Sequence, residues 1–237
     1  MLRTLVWAGF YFLMAPLVAL LGFPWTFLSG KVDFLYRLCM WTAFTGVRLA
    51  GIQVKVEGRD RLERGRNYIF MANHVSNVDP PILAPLLPPP RASVLVKKEV
   101  FRIPVLARAM RMGSLVPVDR RNREAAIDSL HAAGEVLRSG ISMMVFPEGT
   151  RSPDGRLLPF KKGPFFLAME TGVRVVPISI LGTYEIMPKG SFAIRAGTAT
   201  VIFHDPLDPA AFPSREALME AVRQKIAAPL PQEQRAK

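Results

Sequence analysis

"NYIFMANHVSNVD", residues 67–79, decides how the rest of the chain is to be read. Its first six residues, Asn67–Ala72, make a short apolar run, which predicts a strand packed on both faces. Such a strand ordinarily hands over to a plain turn. This one hands over to His74, Ser76, Asn77 and Asp79. A neutral histidine acts as a general base when its other ring nitrogen is held in the donor form. A carboxylate bonded to that nitrogen does the holding and stabilises the imidazolium. Asp79 reaches His74 if residues 74–79 wrap around the start of a helix. Taken alone, the pair reads more readily as an ordinary capped turn with a satisfied histidine.

Outward from this stretch, strands and helices alternate, the pattern of an α/β domain. "IQVKVEG" (52–58) alternates apolar and polar residues, which predicts an edge or half-buried strand. Further strands are expected at 91–98, 114–120, 141–147, 173–180 and 198–204. "PPILAPLLPPP" (80–90) begins as a short helix and ends in a proline stop. "EVFRIPVLARAM" (99–110) reads as helical, with Pro104 tolerated near its start. The clearest helix is 122–140, with Asn122 as N-cap and Gly140 as its end. Helices are also expected at 165–172, closed by Gly172, and at 214–230, capped by Ser214. The tail to Lys237 is polar and reads as frayed. In open α/β sheets ligands gather at strand carboxyl ends, and a second polar motif, "FPEGTRS" (146–152), also follows a strand. Pro147 and Gly149 set a tight loop with exposed backbone N–H groups, and Thr150 and Arg151 add donors suited to phosphate. Glu148 suits orienting an arginine or a substrate hydroxyl. Lys161, Lys162 and Arg120 are further phosphate contacts or simply solvated charge.

Several chemistries lack their signatures. There is no G-x-S-x-G elbow, and neither the P-loop nor G-x-G-x-x-G occurs. The one cysteine, Cys39, lies in an apolar stretch and excludes an internal disulfide and a Cys-rich zinc site. Three histidines, His74, His131 and His204, argue against a histidine metal cluster. Ser76 stands too near His74 in sequence to complete a triad, so the base is expected to activate a hydroxyl on a substrate.

The chain is strongly basic, with formal charge +12 and pI about 10.4, and its mean hydropathy is positive at +0.21. Such a chain meets something anionic. Residues 91–123 carry nine of the lysines and arginines against only Glu99 and Asp119. The aromatics crowd the apolar N-terminus rather than this basic run, which argues against nucleic acid. Residues 4–30 contain no charged side chain, and about 20 apolar residues suffice to span a bilayer. The run is longer than a signal-peptide core and lacks a small-x-small cleavage site. It reads as a retained membrane element, kinked or broken at Pro16 and at Gly22-Phe23-Pro24. Residues 32–52 gather Asp33, Arg37 and Arg48 on one side, which suits a helix lying at an interface or on the domain, with Asp33 and Arg37 spaced as an i,i+4 pair. More positive charge follows the apolar run than precedes it, so the rest of the chain is expected on the cytoplasmic side.

Six blocks in order make the chain recognisable: NHVSNVD, KKEVFRIP, GSLVPVDR, VFPEGTRS, LPFKKGPF and VVPISI, spread over residues 67–180. Together they resemble the glycerolipid acyltransferase family, in particular its bacterial 1-acyl-glycerol-3-phosphate acyltransferases, which make phosphatidic acid. The resemblance implies an α/β fold of that family's type, a sheet with flanking helices, behind a two-helix hydrophobic membrane element. It implies an anchor over 1–52, an acyltransferase domain over 53–230 and a polar tail over 231–237. It assigns His74 and Asp79 as the catalytic pair and places Arg120, Glu148, Gly149 and Arg151 at the acceptor's glycerol-phosphate. Lys97 and Lys161 match family lysines in or near the site, and Thr150 is expected to join the substrate-binding set. No cofactor is implied, the acyl group arriving as a thioester of CoA or acyl carrier protein. The expected partners are that donor, a lysophospholipid acceptor and the membrane, with the catalytic domain on the cytoplasmic face of a bacterial inner membrane. Ala107 stands where the family often has glycine, Pro164 replaces a usual alanine, and Arg174 a common proline. Relatives with the same core acylate other lysolipids, such as a lyso-ornithine lipid. A lipid hydrolase and a non-enzymatic binder of anionic lipid are the readings from other classes.

Overall fold

Along the strand after Tyr68, β2 (Ile69–Ala72), successive side chains enter two different cores. Phe70 and Ala72 pack with Val47, Ile82, Val176 and Ile178. Ile69 and Met71 pack with Leu137, Met143, Phe165 and Val222. All four strand residues are fully buried, as a period of two between two covered faces requires. The computed structural model describes residues 2–89, 91–118 and 123–235.

Around β2 lie β1 (Ile52–Glu57), β3 (Ala92–Lys97), β4 (Val116–Val118), β5 (Ser142–Val145), β6 (Val175–Leu181) and β7 (Gly197–Phe203). The sheet order is β1-β7-β6-β2-β5-β3-β4. Every neighbouring pair is parallel except β6 with β7. Two helices precede the sheet, α1 (Leu2–Ser29) and α2 (Asp33–Leu49). The others are α3 (Asp79–Leu83), α4 (Pro104–Met112), α5 (Arg123–Arg138), α6 (Gly163–Thr171), α7 (Thr183–Ile186) and α8 (Arg215–Ala227). One face of the sheet takes residues from α2 and α3, the other from α5, α6 and α8. The α/β expectation therefore holds, and β1 is the edge strand its alternation predicts.

Several local expectations change. α1 is one unbroken helix with Pro16 and Pro24 inside it. A proline removes one backbone donor, and the turns on either side remain helical. α1 is long and apolar enough to cross a membrane, and little of it is buried. α2 has only 17 residues, short of a full span. Its Asp33 pairs with Arg91 (3.4 Å) rather than one turn along with Arg37. The helix expected over 99–110 is divided. A 3₁₀ segment covers Lys98–Arg102, Ile103 is extended, and α4 starts at Pro104, because a residue before proline is driven out of the helical region. Gly172 closes α6 in the left-handed conformation, φ +66°, and Ser214 Oγ caps α8 by accepting from Ala217 N at 3.2 Å. Asn122 lies outside the described residues. The tail is tied down as far as Arg235, whose guanidinium donates to the carbonyls of Leu230 and Ala228, while Leu157 N donates to Gln234 O.

Candidate active site

β2 and β5 are parallel neighbours, with Phe70 opposite Met144 and Met71 opposite Val145. Chains leaving parallel strands emerge on the same side, so the loops carrying His74 and Glu148 meet. The first loop turns directly into α3, with Asp79 its opening residue and Pro80 in its first turn, where a missing N–H costs nothing. Asp79 Oδ2 accepts from the backbone N–H groups of Val75 and Ser76, both at 2.8 Å, and lies 2.8 Å from His74 Nδ1. A carboxylate only accepts, so Nδ1 carries the hydrogen and Nε2 is left with a lone pair. Asp79 is fully buried, while the His74 side chain is 16% exposed. The imidazole stacks on Phe146, centroids 4.0 Å apart. Asn73 splices the end of β2 to β6, donating to Ile180 O (2.9 Å) and accepting from Ile180 N (2.8 Å).

The second loop locks onto the first through backbone groups. Glu148 is 1% exposed. Its Oε1 accepts from His74 N at 2.6 Å and its Oε2 from Leu158 N at 2.9 Å. Burial pushes its carboxyl up to about 7. Repulsion from Asp79 adds to the rise, whereas the Leu158 and His74 N–H groups and the charge of Arg223 oppose it. Ser152 N donates to His74 O at 2.8 Å, closing the link. Gly149 has φ +72°, and a Cβ there would meet Lys161 Cγ at 3.4 Å. Lys161 N in turn donates to Pro147 O at 2.7 Å.

A cleft of about 690 Å³ opens in front of these loops. His74, Gly149, Thr150, Arg151 and Lys161 line it, and Val94, Leu95, Leu130, Met144 and Phe146 make its apolar wall. Arg151 Nη1 is buried without a partner among the described residues, so a guanidinium donor waits at the cleft for an acceptor. One end of the cleft is thus cationic beside a base, and the rest is greasy.

The expected site residues are unequally placed. His74, Gly149, Thr150, Arg151 and Lys161 share the cleft. Glu148 stands behind its wall, its oxygens taken by backbone N–H groups. Arg120 lies outside the described residues, as does the side chain of Lys97 at the end of β3. Among the sequence departures, Pro164 lines the cleft. Arg174 instead pairs with Glu63 (3.1 Å) and Asp208 (3.8 Å), and Ala107 is buried. Sequence reasoning passed over Asn73 and Phe146. Both carried one signal, the first position of a motif at a strand end. Among the described residues no group of three His, Cys, Asp or Glu is arranged to hold a metal ion.

An acyltransferase family model matches residues 53–181. The chain is similar to the chloroplastic 1-acyl-sn-glycerol-3-phosphate acyltransferase of Brassica napus, 41% identical over 67% of this chain and 45% of that protein. It is 33% identical to the enzyme of the same name from Limnanthes douglasii, over 81% of this chain and 67% of that protein. It spans about half the length of the two chloroplastic relatives it matches, in Brassica napus (45%) and Arabidopsis thaliana (48%). Among solved structures, the 1-acyl-sn-glycerophosphate (LPA) acyltransferase PlsC from Thermotoga maritima superposes with a TM-score of 0.80 at 31% identity. That match covers 95% of this chain and 92% of PlsC.

Proposed function

The chain belongs to the acyltransferase family, and from that premise we propose that it moves an acyl group from a CoA or carrier-protein thioester to the sn-2 hydroxyl of 1-acyl-glycerol-3-phosphate, making phosphatidic acid. The observation that carries this is the pairing of His74 and Asp79 at 2.8 Å beside an unpartnered guanidinium donor of Arg151 in one cleft. The names of the similar enzymes point to the same acceptor.

The acceptor phosphate sits against Arg151, with the Gly149 and Thr150 backbone and Lys161 beside it. Its free hydroxyl then faces His74. Nε2 takes the hydroxyl proton as the oxygen attacks the thioester carbonyl carbon. The C–S bond breaks, and the departing thiolate takes the proton back from the imidazolium. Ester and free thiol are the products, and no other reactant is consumed. Asp79 keeps Nδ1 protonated and offsets the imidazolium charge. Holding hydroxyl and thioester in line contributes on the order of 7–11 kcal/mol of the barrier. Glu148 is a positioning residue, fixing the His74 backbone to the second loop. Acyl chains lie on the apolar wall.

Residues 1–52 serve as the anchor and 53–230 as the acyltransferase domain, with 231–237 a polar tail. α1, apolar and little buried, supports association with a membrane. The charge pattern supports the cytoplasmic face for the cleft, and the resemblance to bacterial members of the family supports a bacterial inner membrane. The deciding assay supplies purified protein with labelled acyl-CoA and a panel of lysolipids. Label is expected in phosphatidic acid from lysophosphatidate, and none is expected with His74→Ala. Release of free fatty acid without an acceptor would identify a hydrolase instead, and faster transfer to a phosphate-free lysolipid would remove the acceptor assignment.

A further inference from the structure

The segment Met187–Arg195, "MPKGSFAIR", joins α7 to β7 and has no part in the chemistry above. Its Phe192 is 87% exposed. A single exposed apolar side chain is ordinary, but this one stands on a loop fastened to a larger apolar surface. Two residues on, Ile194 is buried in the core cluster against which Trp7 of α1 packs. Ile194 N donates to Thr4 Oγ1 at 3.1 Å. The loop is therefore tied to the first turn of α1, where Leu2 and Leu5 stand in the open, followed by Phe12. Lys189 and Arg195, both exposed, flank Phe192.

The same loop is tied to both motifs of the active site. Ser76 Oγ donates to Met187 O at 2.6 Å, and Ser76 and Pro188 form an antiparallel bridge. Lys189 Nζ donates to Arg151 O at 2.8 Å, leaving its ammonium two further donors. A nine-residue segment thus touches the His74 loop, the Arg151 loop and the apolar helix.

We propose that Met187–Arg195 is an additional membrane contact, in which Phe192 enters the headgroup–acyl boundary of an anionic leaflet and its tethers set the depth of the active-site loops. This rests on the membrane association proposed above. Aromatic tips with flanking basic residues suit such a boundary, the rings displacing water and the cations meeting lipid phosphates. The formal charge of +12 favours an anionic surface. Attachment to the apolar helix α1 favours a bilayer over an acidic soluble protein, which would use the cations and have no call on that attachment.

The test uses full-length protein carrying Cys39→Ser and Phe192→Cys, labelled with an environment-sensitive fluorophore, and phosphatidylcholine vesicles with or without phosphatidylglycerol. Blue-shifted emission and quenching by brominated lipid are expected, stronger with phosphatidylglycerol. Phe192→Ser, in otherwise native protein, is expected to lower vesicle partition about tenfold. Acyl transfer on detergent-dispersed acceptor is expected to stay unchanged, which also reports an intact fold. If native protein binds vesicles while the probe remains in water, the loop proposal fails and the membrane reading stands. If native protein does not bind vesicles, both fail. A raised KM for a carrier-protein donor in Phe192→Ser, with vesicle partition unchanged, makes the loop a protein-docking site and overturns the proposal.

Discussion

One oxygen atom, Asp79 Oδ2, receives the His74 Nδ1 hydrogen and two backbone N–H groups. Replacing Asp79 by asparagine puts at best a weaker acceptor there and releases the tautomer. The expected result is a fall in kcat of about a thousandfold or more, with a stability loss of about 1–3 kcal/mol from the buried donors. Urea melts beside steady-state kinetics separate the two effects, and near-normal turnover would end the base assignment. Glu148 supplies a pH signature. Its carboxyl rises from 4.5 to about 7 in the fold, so the native state binds that proton more tightly than the unfolded chain. This contribution is fully present below 4.5 and is lost as pH rises through 7, by about 3 kcal/mol at most. Wild-type Tm is expected to lose this part over that window, and Glu148→Gln to flatten the response. An unchanged pH slope in the variant would show that Glu148 titrates normally. The glutamine also presents an NH₂ to a backbone N–H, so it is expected to be less stable at low pH.

Between elements, α1 and α2 approach closely where Gly46 faces the ring of Tyr11 and Gly22 faces Leu35. Tyr11 Oη donates to Ala43 O at 3.2 Å. A Cβ added at Gly46 runs into the Tyr11 ring, so Gly46→Val is expected to destabilise the pair by about 1–3 kcal/mol. Limited proteolysis between the helices, around Ser29–Val32, is the measurement. Protection equal to wild type would show that the helices are not held by this contact. Most helices and strands were legible because their apolar period and their Gly, Pro and Ser boundaries are local. The misreadings were local rules applied beyond their reach. Pro16 and Pro24 did not stop α1, whereas Pro104, read as tolerated near the start of a helix over 99–110, instead opens a new one, since Ile103 before it is extended. Arg235, in a tail read as frayed, found carbonyls five and seven residues back.

For the whole molecule, the apolar N-terminus and the cleft are parts of one surface question. Removing residues 1–30 takes away α1, and with it the contacts of Trp7 and of Thr4 to Ile194. The shortened chain is expected to leave the membrane pellet and lose most of its rate on bilayer-presented lysophosphatidate. Part of its rate on detergent-dispersed acceptor is expected to survive, because no proposed catalytic group lies there. Full-length protein found in the supernatant of a lysate spin would remove the anchor.

The sequence alone determined the fold class and, through the resemblance carried by six ordered blocks, the family; it is that resemblance which led His74 and Asp79 to be expected as a pair. Each of these is written in short-range information: apolar period, strand-end motifs, and a histidine and carboxylate one helical start apart. Tertiary structure decided what required distant residues to meet. The parallel pairing of β2 with β5 brings His74 to Glu148, 74 positions away. That pairing placed Glu148 behind the cleft and left Arg151 in it, although both stand in the same seven-residue motif. It stacked Phe146 on the imidazole and carried Met187–Arg195 to both catalytic loops. No local pattern encodes such contacts, because they depend on the strand order of the sheet, which places β2 and β5, buried along their whole length, side by side.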